Sequence, residues 1–283
     1  MTRKTAALSL LLHRLTRRFE FKVSVTVALA FTFVAFAETC LHFYGADVGD
    51  LPSPAYAWAW NMDAMQSNAM RVFLYFFMPV VAALVFAGCA RDEIDRGMAS
   101  CVAARSSLRS YLASHMVLTY LGGFLLVFAM LLALQLLACI AFPFDGTYGG
   151  YLDTPLYVET HPADGLLYDM RMSTPYLYNF VFAVWSSAWA GACSLISFAL
   201  SLLAGKHKTV ALAVPTLVSL ALFQFAPLVS RDLYRHLHFV YCYPAIAQQD
   251  NNLALFILMP VALTVAAVLL ACIPLRRGKD VLL

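Results

Sequence analysis

Few side chains in this 283-residue sequence are spaced for bond-making chemistry. His236 and His238 form an H-x-H pair, but two imidazoles do not make a metal site without a third ligand. Gly205-Lys206 lacks the upstream glycine and the following Ser/Thr of a phosphate-cradling loop, so the chain is not expected to bind or hydrolyse a nucleotide itself. There is no HExxH motif and no acid pair inside an apolar run, which argues against an intramembrane metalloprotease. Ion-driven carriers need ionisable groups at membrane depth, where each costs at least about 2.5–3.5 kcal/mol. The long apolar runs keep Asp, Glu, Lys, Arg and His out of their middles.

Two sets of residues remain. The first is a charged stretch, ARDEIDRGMASCVAARSSLR (90–109), with Arg91, Asp92, Glu93, Asp95, Arg96, Arg105 and Arg109 set between runs that are almost free of charge. The second is a set of neutral polar residues inside apolar runs: Asn179, Ser186, Ser187, Ser194 and Ser197, then Thr216, Ser219 and Gln224. Ser187 and Gly191 are four apart, as are Ala190 and Ser194. Small residues at that spacing let helix backbones approach closely, so helix packing is the first reading of this set and a substrate-lined path the second.

The elements that hold these residues follow from composition. The chain is 62% hydrophobic and only 12% charged, against roughly 25% charged in an ordinary soluble domain, and its mean hydropathy is +0.74. An all-α integral membrane protein is expected. A helix needs about 20 apolar residues to cross the hydrocarbon, and six runs qualify, near 23–43, 72–90, 116–142, 176–204, 209–229 and 253–275. They make one six-helix transmembrane domain over 23–283. Glu38, near one end of the first run, is the one formal charge inside these limits. Ala35-Phe36-Ala37 resembles a signal-peptidase site, but the long apolar run before it reads as an uncleaved first span.

Lysine and arginine orient the bundle. With both termini cytoplasmic, fifteen of the nineteen basic residues fall inside, and only Arg71, Arg171, Arg231 and Arg235 fall outside. The expected location is the cell membrane. Residues 1–22 place Leu8, Leu11, Leu12, Leu15 and Phe19 at helical spacing, with His13, Arg14, Arg17 and Arg18 largely opposite. This is the pattern of a basic amphipathic helix lying in the membrane interface. The seven cysteines include no CxxC pair and mostly sit in apolar runs. Cys40 and Cys242 both fall near the expected outer face, where a disulfide between them is one option.

Three stretches carry a family resemblance. The first is Glu93-Ile94-Asp95-Arg96-Gly97, followed by Arg105-Ser106-Ser107-Leu108-Arg109. The second is Thr174-Pro175-Tyr176-Leu177-Tyr178 opening span four, Ser201-Leu202-Leu203 closing it, and Lys206-His207-Lys208 leading into a fifth span that holds Pro215. The third is the tail, Arg276-Arg277-Gly278-Lys279-Asp280. In this order, with six spans, the chain resembles ABC-2-type permeases, the membrane subunits of one class of ABC transporter. It departs from the pattern at Ala103-Ala104, where many relatives have a proline before the Ser/Arg step.

The resemblance implies a division of labour. ATP and Mg would be bound by a separate ABC ATPase subunit, with no cofactor and no catalytic or metal residue in this chain. The loop between spans two and three would be the coupling helix, worked through Glu93, Asp95, Arg96, Gly97, Arg105 and Arg109. A second permease chain, identical or related, would complete a path drawn largely from spans two and five, for which Tyr75, Phe76, Thr216, Ser219 and Gln224 are the candidates. Export of a peptide, antibiotic, lipid or other amphiphile is the implied activity, with the bilayer rather than nucleic acid as surroundings. The rival readings are a membrane adaptor or sensor that keeps an ATPase partner without transporting anything, and a polytopic membrane enzyme.

Overall fold

The computed structural model describes residues 17–58, 68–97, 108–145, 166–204, 208–229 and 253–277. Residues 1–16 of the expected interfacial helix lie outside these residues, as do Arg105, Cys242 and the His236/His238 pair. Among the described residues the chain is built of helices. They are α1 (Phe19–His42), α2 (Asn68–Val72), a π-helical turn (Phe73–Phe77), α3 (Met78–Phe86), α4 (Cys89–Asp95), α5 (Leu108–Ala141), α6 (Tyr168–Ser173), α7 (Pro175–Leu203), α8 (Lys208–Val229) and α9 (Leu253–Arg277).

Among the described residues, five helical stretches are long and apolar enough to cross a membrane: Phe19–His42, Ala69–Phe86, Ser110–Ala141, Pro175–Leu203 and Phe256–Ile273. The expected fifth span is a helix too, but its apolar stretch, Val210–Ala221, is shorter than the others. The second span differs most from expectation. It begins three residues before the predicted 72 and ends at Phe86, where a turn at 87–88 separates it from α4. Its π turn has a local cause. Pro79 brings no N–H for the carbonyl four residues back, and the Met78 N–H reaches five back to Phe73 O. One wide turn absorbs the register change.

Helix α7 is the hub. It packs against α3, α5, α8 and α9, and most of its length is buried. Pro175 opens it at a position whose N–H would be unused anyway. Its small residues allow the close packing. A side chain at Gly191 would meet the backbone oxygen of Tyr120 on α5 at 2.9 Å, and one at Gly123 on α5 would meet Ser194 Cβ at 2.9 Å.

The serines follow the packing reading. Ser186 and Ser187 donate back to Phe182 O and Ala183 O within α7. Ser194 donates to Ala82 O of α3, and Ser201 to Ala87 O in the turn after it. From the other side Ser24 of α1 donates to Val81 O. Along α1, Ser24, Ala28, Thr32, Ala35 and Thr39 form the buried stripe.

Glu38 also has a place. Its carboxylate accepts the backbone N–H of Ala69 at 2.9 Å, so α1 caps the start of α2, where a negative charge is favoured.

Candidate functional site

The charged stretch divides on folding. Cys89, Asp92 and Glu93 face inward on α4, whereas Asp95, Arg96 and Gly97 are exposed. A 3.6-residue period explains this: 89, 92 and 93 share one face, and that face packs against α5 and α7. Gly97 then ends the helix. Its φ of +71° suits a residue without Cβ, and its N–H closes onto Ile94 O at 2.9 Å. Asp95 is ion-paired with Arg91 at 2.8 Å.

The inward face meets three polar partners. Arg18, just before α1, pairs with Asp92 through its guanidinium and lies 3.5 Å from Glu20. The Tyr111 hydroxyl of α5 donates to Glu93 Oε2. His115, one turn further along α5, places Nε2 3.5 Å from the same oxygen, without the alignment of a hydrogen bond at either ring nitrogen. The Cys89 thiol contacts Glu93 Oε1 at 3.8 Å. Burial pushes that thiol up to about 11, Arg18 working against the rise and Glu93 with it. The His115 ring is stacked on Phe86, with centroids 5.1 Å apart.

This cluster clasps α4 to α1 and α5. His115 is 0% exposed and Glu93 6%, so a substrate has no approach to them. Among the described residues no three of His, Cys, Asp and Glu converge to hold a metal ion.

The sequence-derived coupling set is therefore split. Glu93 is a buried anchor, not a surface handle, because the carboxylate is taken up by Tyr111 and Cys89. Asp95, Arg96 and Gly97 form an exposed group. Arg109 falls in the first turn of α5, and Arg105 lies outside the described residues.

The candidate path residues are partly brought together. The π turn carrying Tyr75 and Phe76 packs against α8, and those two half-buried rings are 6.1 Å apart. On α8, Thr216 and Ser219 are three apart and half-buried, with hydroxyl oxygens that are shielded from solvent and lack a hydrogen-bond partner. Gln224, further along, is exposed.

Several residues escaped the sequence reading. With the third span expected to start at 116, His115 fell in a loop. Helix α5 instead starts at Leu108 and runs 34 residues, about 51 Å at 1.5 Å per residue, longer than the roughly 30 Å hydrocarbon thickness. His115 lies near one end of the stretch Ser110–Ala141, as Glu20, Lys22, Glu38, His42 and Arg71 lie near the ends of theirs, and the middles of the described stretches are free of Asp, Glu, Lys, Arg and His. The four-residue spacings Cys89/Glu93 and Tyr111/His115 were the available signal. Compared with known proteins, the chain matches no family model, no curated protein and no solved structure.

Proposed function

We propose that the chain is the membrane subunit of an ABC-2-type transporter, with both termini cytoplasmic, worked by a separate ATPase and exporting an amphiphile. The observation that carries this reading is the clasp. A two-residue turn joins α4 to α3. The same short helix is tied to the start of α1 by Arg18–Asp92 and to α5 by Tyr111–Glu93. A push on its exposed end, Asp95-Arg96-Gly97, is thus delivered to three spans at once. That is what a loop transmitting a partner's ATP cycle has to do. An isolated surface helix would merely swing on its turn.

The basic residues support the orientation, since the clasp end holds Arg17, Arg18, Lys22, Arg91 and Arg96 and cytoplasmic segments collect Lys and Arg. The π turn beside α8 supports a path between spans two and five, because π turns recur at functional sites. The closed clasp, with His115 and Glu93 out of reach, favours a moving part over a polytopic enzyme.

The test is co-purification with a candidate ABC ATPase. Charge reversal at Asp95→Lys with Arg96→Glu leaves the clasp intact and is expected to strip the ATPase from the purified complex at moderate salt. Unchanged recovery of the ATPase from the double variant would refute the assignment of this surface.

A further inference from the structure

At the opposite end of the bundle, a stretch that belongs to no helix is buried. Pro52, Ser53, Pro54, Ala55, Tyr56, Ala57 and Trp58 all lie inside the structure. Buried backbone must have its polar groups satisfied, and this segment solves the problem unusually. Pro52 and Pro54 have no N–H to satisfy. The N–H groups of Tyr56 and Ala57 both turn back to Ser53 O at 2.9 Å.

Two carbonyls that point away from the turn are taken by side chains of two different helices. Gln135 Nε2 of α5 donates to Pro54 O at 3.0 Å, and Asn179 Nδ2 of α7 donates to Ala55 O at 2.9 Å. The two amides are locked to each other, Asn179 Nδ2 donating to Gln135 Oε1 at 2.8 Å. One turn of α5 away, Leu131 O accepts the indole N–H of Trp58 at 3.1 Å. The guanidinium of Arg171, itself buried, lies 5.6 Å from the Tyr56 ring centre and 5.9 Å from that of Tyr178.

We propose that the Gln135–Asn179 amide pair, with the Trp58 pocket beside it, is a binding site for the main chain of an extended peptide, and that residues 52–58 occupy it as a built-in stand-in. Three features point this way. The donors read carbonyl oxygens, which every peptide presents, and not the side chains of residues 54 and 55. The anchors are an indole and a phenol, the side chains best suited to supply large rigid contact area. Finally, the strap belongs to no helix, so it can leave without breaking a helical hydrogen bond, although its Trp58 fills a place in the main core. Helices α5 and α7 also meet through Gly123, Gly191 and Ser194, not through the amide pair alone. The strap's Ala57 packs at the bundle end, with Ala138 and Phe142 against Cys40 and Phe43. It also buries the Ser53 hydroxyl without a hydrogen-bond partner, a cost that its departure would remove.

Lifting the strap frees two amide donors and the space that the Trp58 indole fills, beside the Tyr178 ring on which Arg171 lies. An incoming peptide would replace the strap hydrogen bond for hydrogen bond, with no covalent step. Peptide binding here is independent of the permease reading; only its meaning as a stop on an export path rests on that reading.

The experiment is hydrogen–deuterium exchange over residues 55–58 in the full-length protein in lipid nanodiscs. The probe is the synthetic peptide PSPAYAW at millimolar concentration, with PSPAYAA as control. In the wild type without peptide these amides are expected to be protected. PSPAYAW should speed their exchange several-fold by displacing the strap, and PSPAYAA should not. Asn179→Ala removes one strap bond and one amide–amide bond, and is expected to speed exchange roughly tenfold without peptide.

If PSPAYAW leaves the wild-type pattern unchanged, the ligand site is refuted and the strap is a fixed part of the fold, whatever the variant does. The wild-type arm decides even if Asn179→Ala fails to fold. Because ATPase recovery is not read here, this failure is distinguishable from failure of the permease assignment.

Discussion

Glu38 and Glu93 are both carboxylates in surroundings built from apolar residues, and each is held by specific donors. Glu38 satisfies a helix N-terminus through Ala69 N–H, and Glu93 accepts the Tyr111 hydroxyl. A hydrogen bond to a charged group contributes about 1.5–3 kcal/mol. Glu38→Ala is therefore expected to destabilise the protein by about that amount, with Glu38→Gln costing less because it keeps an acceptor. Thermal unfolding of the detergent-solubilised variants measures this, and equal melting temperatures for Glu38→Ala and wild type would contradict it. Glu38 was visible in the sequence as the lone charge within the expected spans, but its use was not. Its donor lies 31 residues away, across a segment whose path no local pattern specifies. The same limit hid the clasp. Asp92 and Arg18 are 74 residues apart, and nothing in either neighbourhood announces the other.

At the scale of elements, hydropathy located the helices well because a long apolar run has few alternatives to a helix. Ends were harder. The second span stops at Phe86, not at 90, since Asp92 and Glu93 draw the chain into a polar clasp after the 87–88 turn. The third starts eight residues early because Tyr111 and His115 serve that same clasp. The apolar strap at 52–58 was unreadable as a buried segment, since two prolines mark a loop and its carbonyl partners come from helices far along the chain. The small-residue spacing on α7 was legible and is used. A β-carbon at Gly191 would press on the backbone oxygen of Tyr120 at 2.9 Å, and backbone cannot step aside as a flexible side chain can. Gly191→Ala is therefore expected to cost about 1–3 kcal/mol, while Gly49→Ala, which meets nothing within 4 Å, should be nearly neutral. Comparing the chemical denaturation midpoints of the two variants checks the contrast, and an equal loss in both would contradict the packing.

At the scale of the whole molecule, the structure has two ends with different devices. One is the charged clasp that ties α4 to α1 and α5. The other is the apolar strap held by an amide pair. Between them, small residues and serines bring α1, α3, α5 and α7 close together, so that displacement at one end is not absorbed by loose packing on the way. In the proposed transporter the clasp end receives the ATPase and the strap end releases or admits the peptide. The rate of ATP hydrolysis by a reconstituted complex of this chain with the proposed ATPase tests this most directly. Tyr111→Phe, which loosens α4 from α5 while leaving the exposed Asp95-Arg96-Gly97 surface in place, is predicted to retain the bound ATPase. Its hydrolysis should no longer respond to PSPAYAW added at the strap end, whereas the wild-type rate should change at least twofold. A Tyr111→Phe complex whose hydrolysis responds to the peptide as the wild type does would contradict the clasp as the link between the two ends.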